Sequence, residues 1–276
     1  MPKKPAVVDH KMQKITNPKS RPGNRAALLA AGTMAFAGIG DAVLYPVLPV
    51  YAEKLGVPLV WVGVLLSANR LVRVLSNTWV ANVIRKYGPK SVLLISTVLA
   101  SICTGLYGLH VGIFGLLAAR IIWGLCYSGL KTATFSFAAQ LSAAKGLTFG
   151  LVHSIRSLGV VLALVLGPLL INQLGVSDGF LVLAVLSVLA IPLGWSLPVG
   201  ATTTTSVKIR KTFAPTPLNM ITFTFSFAID GVVVVALATL LEDSATNVAT
   251  LLTMVASYLL LSRLFMVGGS FLAGMI

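Results

Sequence analysis

Long apolar runs constrain this chain more than any other feature of its sequence. They fall at 26–50, 59–84, 91–110, 112–137, 148–173, 178–198, 218–241 and 249–276, and short polar stretches between them hold most of the charge. A helix needs about 20 apolar residues to cross the hydrocarbon core of a bilayer, and every run is long enough. Composition agrees, with 57% hydrophobic and 10% charged residues, where a soluble domain carries about 25% charged. The expectation is an all-α membrane protein of about eight transmembrane helices. The first run would extend about 37 Å as a helix. That is too long for the apolar part of a signal peptide, so it reads as a tilted span. The net charge of +14 raises the question of nucleic acid. The basic residues gather between the runs, however, with no aromatic-interleaved stripe, so the expected partner is the lipid bilayer and not nucleic acid. Cys103 and Cys126 sit inside apolar runs and read as packing residues.

Charge alternates across the spans. The tail 1–25 carries Lys3, Lys4, Lys11, Lys14, Lys19, Arg21 and Arg25. Arg85, Lys86 and Lys90 follow the second span, Lys145 the fourth, and Lys208, Arg210 and Lys211 the sixth. The opposite side offers Lys54 as its basic residue, with Glu53, Asp178, Glu242 and Asp243. Basic loops stay in the cytoplasm, which places the N-terminus there, most simply in a bacterial inner membrane. The Thr-rich, basic stretch 199–217 reads as a cytoplasmic linker. It separates a six-helix unit, 26–198, from the first two helices of a second unit, 218–276.

The second unit restarts the first. "TMAFAGIGDAVLYPVLPVYAE" (33–53) aligns without gaps to "TFTFSFAIDGVVVVALATLLE" (222–242), matching Thr33 with Thr222, Phe36 with Phe225, Asp41 with Asp230 and Glu53 with Glu242. Two acids at one spacing carry weight in a chain with only seven. Arg70 then matches Arg263, after a loop four residues longer. Parallel repeats of this kind are the plan of one large transporter class.

With the repeat in hand, the chain resembles the major facilitator superfamily of secondary transporters. That family carries a Gly-x-x-x-Asp-Arg/Lys-x-Gly-Arg-Lys/Arg loop between spans two and three. Here "ANVIRKYGPK" (81–90) keeps Lys86, Gly88 and Lys90, with Ala81 for the first glycine and Arg85 for the aspartate that helps latch the family's halves together. In span four, "RIIWGLCYSG" (120–129) is similar to an Arg-x-x-Gln-Gly motif, with Trp123 in the glutamine position and Gly124 after it. In span five, "GVVLALVLGP" (159–168) is similar to the antiporter Gly…Gly-Pro motif. The resemblance implies twelve spans in two six-helix halves, with spans one, four and seven lining a central cavity. It therefore implies a truncated chain, the missing helices coming from a longer chain or a partner, and it places Asp41, Arg120 and Asp230 at the cavity.

Charge inside the hydrocarbon costs roughly 2.5–3.5 kcal/mol per residue, so intramembrane ionisable groups are functional candidates. Here these are Asp41, Arg70, Arg73, Arg120, Arg156, Asp230 and Arg263, with Lys131 nearer the cytoplasmic end of its span. Asp41 reads either as a proton-titrating site beside Arg120, or as a fixed ion pair or cap of a helix break near Pro46 and Pro49. Arg70, Arg73 and Asn77 share one face of span two, and His153 shares a face of span five with Arg156. His153 reads as a core histidine, because no second ligand stands at metal spacing. Gly159, Ala163 and Gly167 form a small-residue packing face, and Pro168 lets span five bend.

Enzyme chemistry finds no support. The chain has no Gly-x-Ser-x-Gly elbow, no phosphate loop that could harness ATP, and no cofactor motif. The expected function is ion-coupled, most simply proton-coupled, secondary transport of a small solute by alternating access. Five intramembrane arginines against two acids leave three guanidinium groups without acidic partners, so the solute is expected to be anionic. A multidrug-type proton antiporter is the other reading within transport. A transport-inactive scaffold, sensor or assembly protein of the same fold is the reading outside it.

Overall fold

A computed structural model describes residues 22–109, 111–139, 145–199 and 233–275, with the single positions 217, 221 and 224. No strand occurs among the described residues. The helices are α1 (Pro22–Ala37), α2 (Ile39–Val50), α3 (Leu59–Tyr87), α4 (Pro89–Gly108), α5 (Gly112–Ala139), α6 (Lys145–Leu174), α7 (Val176–Val188), α8 (Ala190–Trp195), α9 (Val234–Glu242) and α10 (Val248–Met275). Counting α1 with α2 and α7 with α8, seven of the described segments are long and apolar enough to cross a membrane. The seventh expected span, 218–241, is described as a helix only at its end, as α9. Asp230, the linker stretch 200–216 and the tail up to Arg21 lie outside the described residues.

Two expected spans are divided. The first pauses at Gly38, although hydrogen bonds from Gly38 N to Met34 O (3.1 Å) and from Ala42 N to Gly38 O (3.1 Å) carry the helix across. Pro46 and Pro49 sit inside α2, so the discontinuity expected near them lies instead at Gly38. The sixth span breaks at Leu189, where the backbone tightens to a bond with Leu186 O (3.1 Å). Pro192 explains this break, because its ring clashes with the carbonyl four residues back and it has no N–H to bond there.

α1 and α2 are buried among the other helices, with Ala27, Ala30, Ala31, Ala37, Val43 and Val47 fully enclosed. Small residues set how closely the neighbours approach. A Cβ on Gly159 of α6 would lie 2.9 Å from Ala35 O of α1, and one on Gly167 would lie 2.6 Å from Val43 of α2. Glycine at these positions lets the helix backbones close to dispersion contact. α6 also runs along α10, where Ser154 Oγ donates to Val267 O (3.4 Å) and Asn172 Nδ2 to Thr253 Oγ1 (3.4 Å).

The loop motif folds as a sharp connection between α3 and α4. Gly88 takes φ +83°, a conformation that L side chains rarely adopt, and Pro89 opens α4. Lys90 Nζ donates to the Leu197 carbonyl just past α8, Lys86 lies 5.0 Å over the Tyr87 ring, and Arg85 donates to Asn82 Oδ1.

Candidate functional site

Asp41 stands in the first turn of α2, 8% exposed. The N-cap position of α2 is Gly38, which makes no side-chain cap bond, and the Asp41 carboxylate meets side chains of other helices. It is held by three side chains from two other helices. Arg120 of α5, fully buried, donates from Nη1 to Asp41 Oδ1. Arg73 of α3 brings Nη2 to 3.8 Å from Oδ2. Asn69 of α3 donates from Nδ2 to Oδ1 at 3.4 Å.

The local sequence explains why these groups meet. Val62, Leu65, Leu66, Asn69, Ser76, Val80 and Ile84 are buried on α3, at the three- and four-residue spacing of one helix face. Gly124 of α5 faces that stripe, and a Cβ there would sit 2.7 Å from Asn69 O. The close approach lets Arg120 Nε donate to Leu65 O at 3.0 Å. A second contact, between Ser76 Oγ and Ser128 Oγ at 2.8 Å, ties the same helices two turns away.

Aromatic faces carry the remaining positive charge. Tyr45, one turn beyond Asp41, has Arg120 Cζ at 5.3 Å and Arg70 Cζ at 5.6 Å from its ring centroid. Tyr127 of α5 has Arg73 Cζ 3.6 Å over its ring and accepts a hydrogen bond at its hydroxyl from Arg156 Nη1 of α6. Arg156 Nη2 meets His153 Nε2 at 3.1 Å. A guanidinium only donates, so Nε2 is the acceptor.

The structure thus joins Asp41, Arg120, Arg73, Tyr127 and Arg156 across α2, α3, α5 and α6, with Arg70 beside Tyr45. Arg263 lies on α10 and approaches Met266 Sδ at 3.7 Å. Several buried polar atoms here have no hydrogen-bond partner among the described residues: Asn69 Oδ1, Arg73 Nε and Trp123 Nε1. Among the described residues no group of three or more His, Cys, Asp or Glu side chains converges. The cluster's chemistry is therefore that of guanidinium, amide and phenol groups around one carboxylate. A separate cleft of about 370 Å³, lined by Tyr51, Lys54, Asn172 and Ser177 among others, lies elsewhere and includes none of these residues.

Sequence reasoning missed Asn69, Tyr45 and Tyr127. Helical spacing could have found them. Tyr45 follows Asp41 by four residues, Asn69 precedes Arg73 by four, and Tyr127 follows Arg120 by seven, which puts each on the face of a charged residue already singled out.

The Major Facilitator Superfamily model matches residues 30–276. The chain is 31% identical over 122 residues to the Staphylopine export protein of Staphylococcus aureus, covering 44% of this chain and 28% of that protein. It is 27% identical over 155 residues to the Probable sulfoacetate transporter SauU of Cupriavidus necator, covering 54% of this chain and 34% of that protein. Each match spans about a third or less of the relative's own length. The family match runs from within α1 to the last residue, through every span that builds the buried cluster, and the chain belongs to the Major Facilitator Superfamily.

Proposed function

We propose that this multi-pass membrane protein is a secondary active transporter of a small anionic solute, coupled to protons and working by alternating access. One observation carries the proposal: three arginines, Arg120, Arg73 and Arg156, gather in a cluster that holds one described carboxylate, Asp41. Two of them, Arg120 and Arg73, reach that carboxylate directly. Arginine stays protonated in proteins, so the excess charge favours an anion. The name of the sulfoacetate transporter among the similar proteins points the same way, since sulfoacetate bears a sulfonate and a carboxylate.

Coupling follows from the competition for Arg120 and Arg73. While Asp41 is ionised it occupies both guanidinium groups, and an incoming anion must displace it. A proton placed on Asp41 neutralises the competitor and releases the arginines to the anion. Proton and anion therefore bind with positive linkage, as a symporter requires. The unit 26–198 and the unit that begins at 218 would rock about the α6–α10 contact, exposing the cluster to alternate sides.

Flux into proteoliposomes of the full chain tests this, with sulfoacetate, succinate and acetate as probe anions under an imposed pH gradient. Anion uptake that rises with the inward proton gradient supports the proposal. No gradient-dependent anion flux would favour the scaffold reading, and flux of cations alone would favour the multidrug reading.

A further inference from the structure

Tyr127 sits between two cations that it cannot satisfy together. Arg73 lies 3.6 Å over its ring and is held there by the electron-rich face. Arg156 donates to the hydroxyl of the same ring, and a hydrogen bond accepted at the phenol oxygen draws density away from that face. The two guanidinium groups therefore compete for one phenol. The carboxylate within reach, Asp41, touches Arg73 at 3.8 Å and pairs more closely with Arg120.

Two donors are left over on these helices. Arg73 Nε is buried with no hydrogen-bond partner among the described residues. The Tyr127 oxygen, having accepted from Arg156, keeps its own O–H to donate. Lys131, one turn beyond Tyr127 on α5, adds positive charge over Phe135 at 5.9 Å. The cluster is not sealed, since the Arg73 side chain is 20% exposed beyond its buried Nε and Tyr127 and Arg156 are half-buried. Guanidinium and phenol donors gathered in one cluster suit an oxyanion, which accepts several charge-assisted hydrogen bonds at once.

We infer that Arg73, Tyr127 and Arg156 form a second anion subsite beside the Asp41–Arg120 pair. It takes one carboxylate, sulfonate or phosphate group of a substrate that carries two negative groups. The inference rests on the anion-transport reading and adds to it the substrate class. Arg120, freed from Asp41, would take the first anionic group, and the Tyr127 subsite the second. Arg73 stands between the two positions and links them.

The test measures binding to the purified full chain by thermal stabilisation in detergent, with sulfoacetate as the two-charge probe and methanesulfonate and acetate as single-charge probes. The wild type is expected to bind sulfoacetate roughly tenfold or more tighter than either single-charge probe. Arg156→Gln and Tyr127→Phe should each shrink that preference to about twofold, weakening sulfoacetate binding several-fold more than single-charge binding. Arg156→Lys, which keeps the charge, should retain part of the preference and guards against a folding defect. Equal weakening of both probe classes in the variants, or a wild type that binds single-charge anions as well as sulfoacetate, would overturn the subsite and leave the anion reading standing. A wild type stabilised by none of the three anions would overturn both.

Discussion

Asp41 and Arg120 depend on each other unequally. Arg120 is fully enclosed and pairs with no described acid other than Asp41, whereas Asp41 retains Arg73 at 3.8 Å and Asn69 at 3.4 Å if Arg120 is lost. Removing one partner of a buried ion pair costs about 3–5 kcal/mol, because the other charge is left in a medium that solvates it poorly. Asp41→Asn should therefore destabilise the protein more than Arg120→Gln. The double replacement should recover part of the loss, since it leaves no stranded charge. Thermal unfolding of the purified variants gives the order directly, and an Arg120→Gln protein less stable than Asp41→Asn would refute it. Asp41→Asn carries a second expectation. With no carboxylate competing for Arg120 and Arg73, sulfoacetate should bind the variant more tightly than the wild type at one fixed pH, and equal or weaker binding would refute the competition.

At the scale of helices, Gly124 holds the site together without touching a charge. A Cβ there would meet Asn69 O at 2.7 Å and Val72 Cβ at 2.9 Å, and a backbone carbonyl has little room to retreat. Gly124→Ala should push α3 from α5, loosen the bond from Arg120 to Leu65 O, and cost about 1–3 kcal/mol by overpacking. Gly63, on the same α3, meets nothing within 4 Å, so Gly63→Ala should be neutral or stabilising by up to about 1 kcal/mol through helix propensity. Unfolding midpoints of the two variants check the contrast, and equal destabilisation would show that the α3–α5 approach is not what Gly124 protects.

The same scale shows what the sequence could reveal. Span lengths were legible because hydrocarbon demands long apolar runs, and α3, α5, α6 and α10 begin and end within a few residues of the expected limits. The break at Leu189 was legible in principle from Pro192 but is hidden in a uniformly apolar stretch. Asp41 and Arg120 stood out because charge is rare in such runs. That Arg73 would be the second arginine on Asp41, with Arg70 turned to Tyr45 instead, depends on how α3 is rotated and how closely it meets α5. No single helix carries that register. Asn69 and Tyr127 escaped because a neutral amide or phenol does not announce itself until its partner is placed beside it.

For the whole molecule, the charge alternation predicts that the loop holding Lys54 and the turn holding Lys86 face opposite sides. Both residues are exposed, and the 29-residue α3 that lies between them would extend about 43 Å. Cysteines introduced singly at 54 and 86 should be labelled by an impermeant thiol reagent from opposite sides of the membrane. The buried Cys103 and Cys126 should contribute little background. Labelling of both positions from one side would invert or break the topology.

The claim that organises all three scales is that the guanidinium charge gathered around Arg120 and Arg73 selects an anion. Comparing the flux of sulfoacetate with that of the cation tetraphenylphosphonium in proteoliposomes of the wild type and of Arg120→Gln tests it most directly. Sulfoacetate transport in the wild type, reduced about tenfold or more in Arg120→Gln at equal protein incorporation, is the predicted result, tenfold corresponding to about 1.4 kcal/mol of lost interaction. Tetraphenylphosphonium transported in preference to sulfoacetate, at a rate that Arg120→Gln leaves intact, would contradict it.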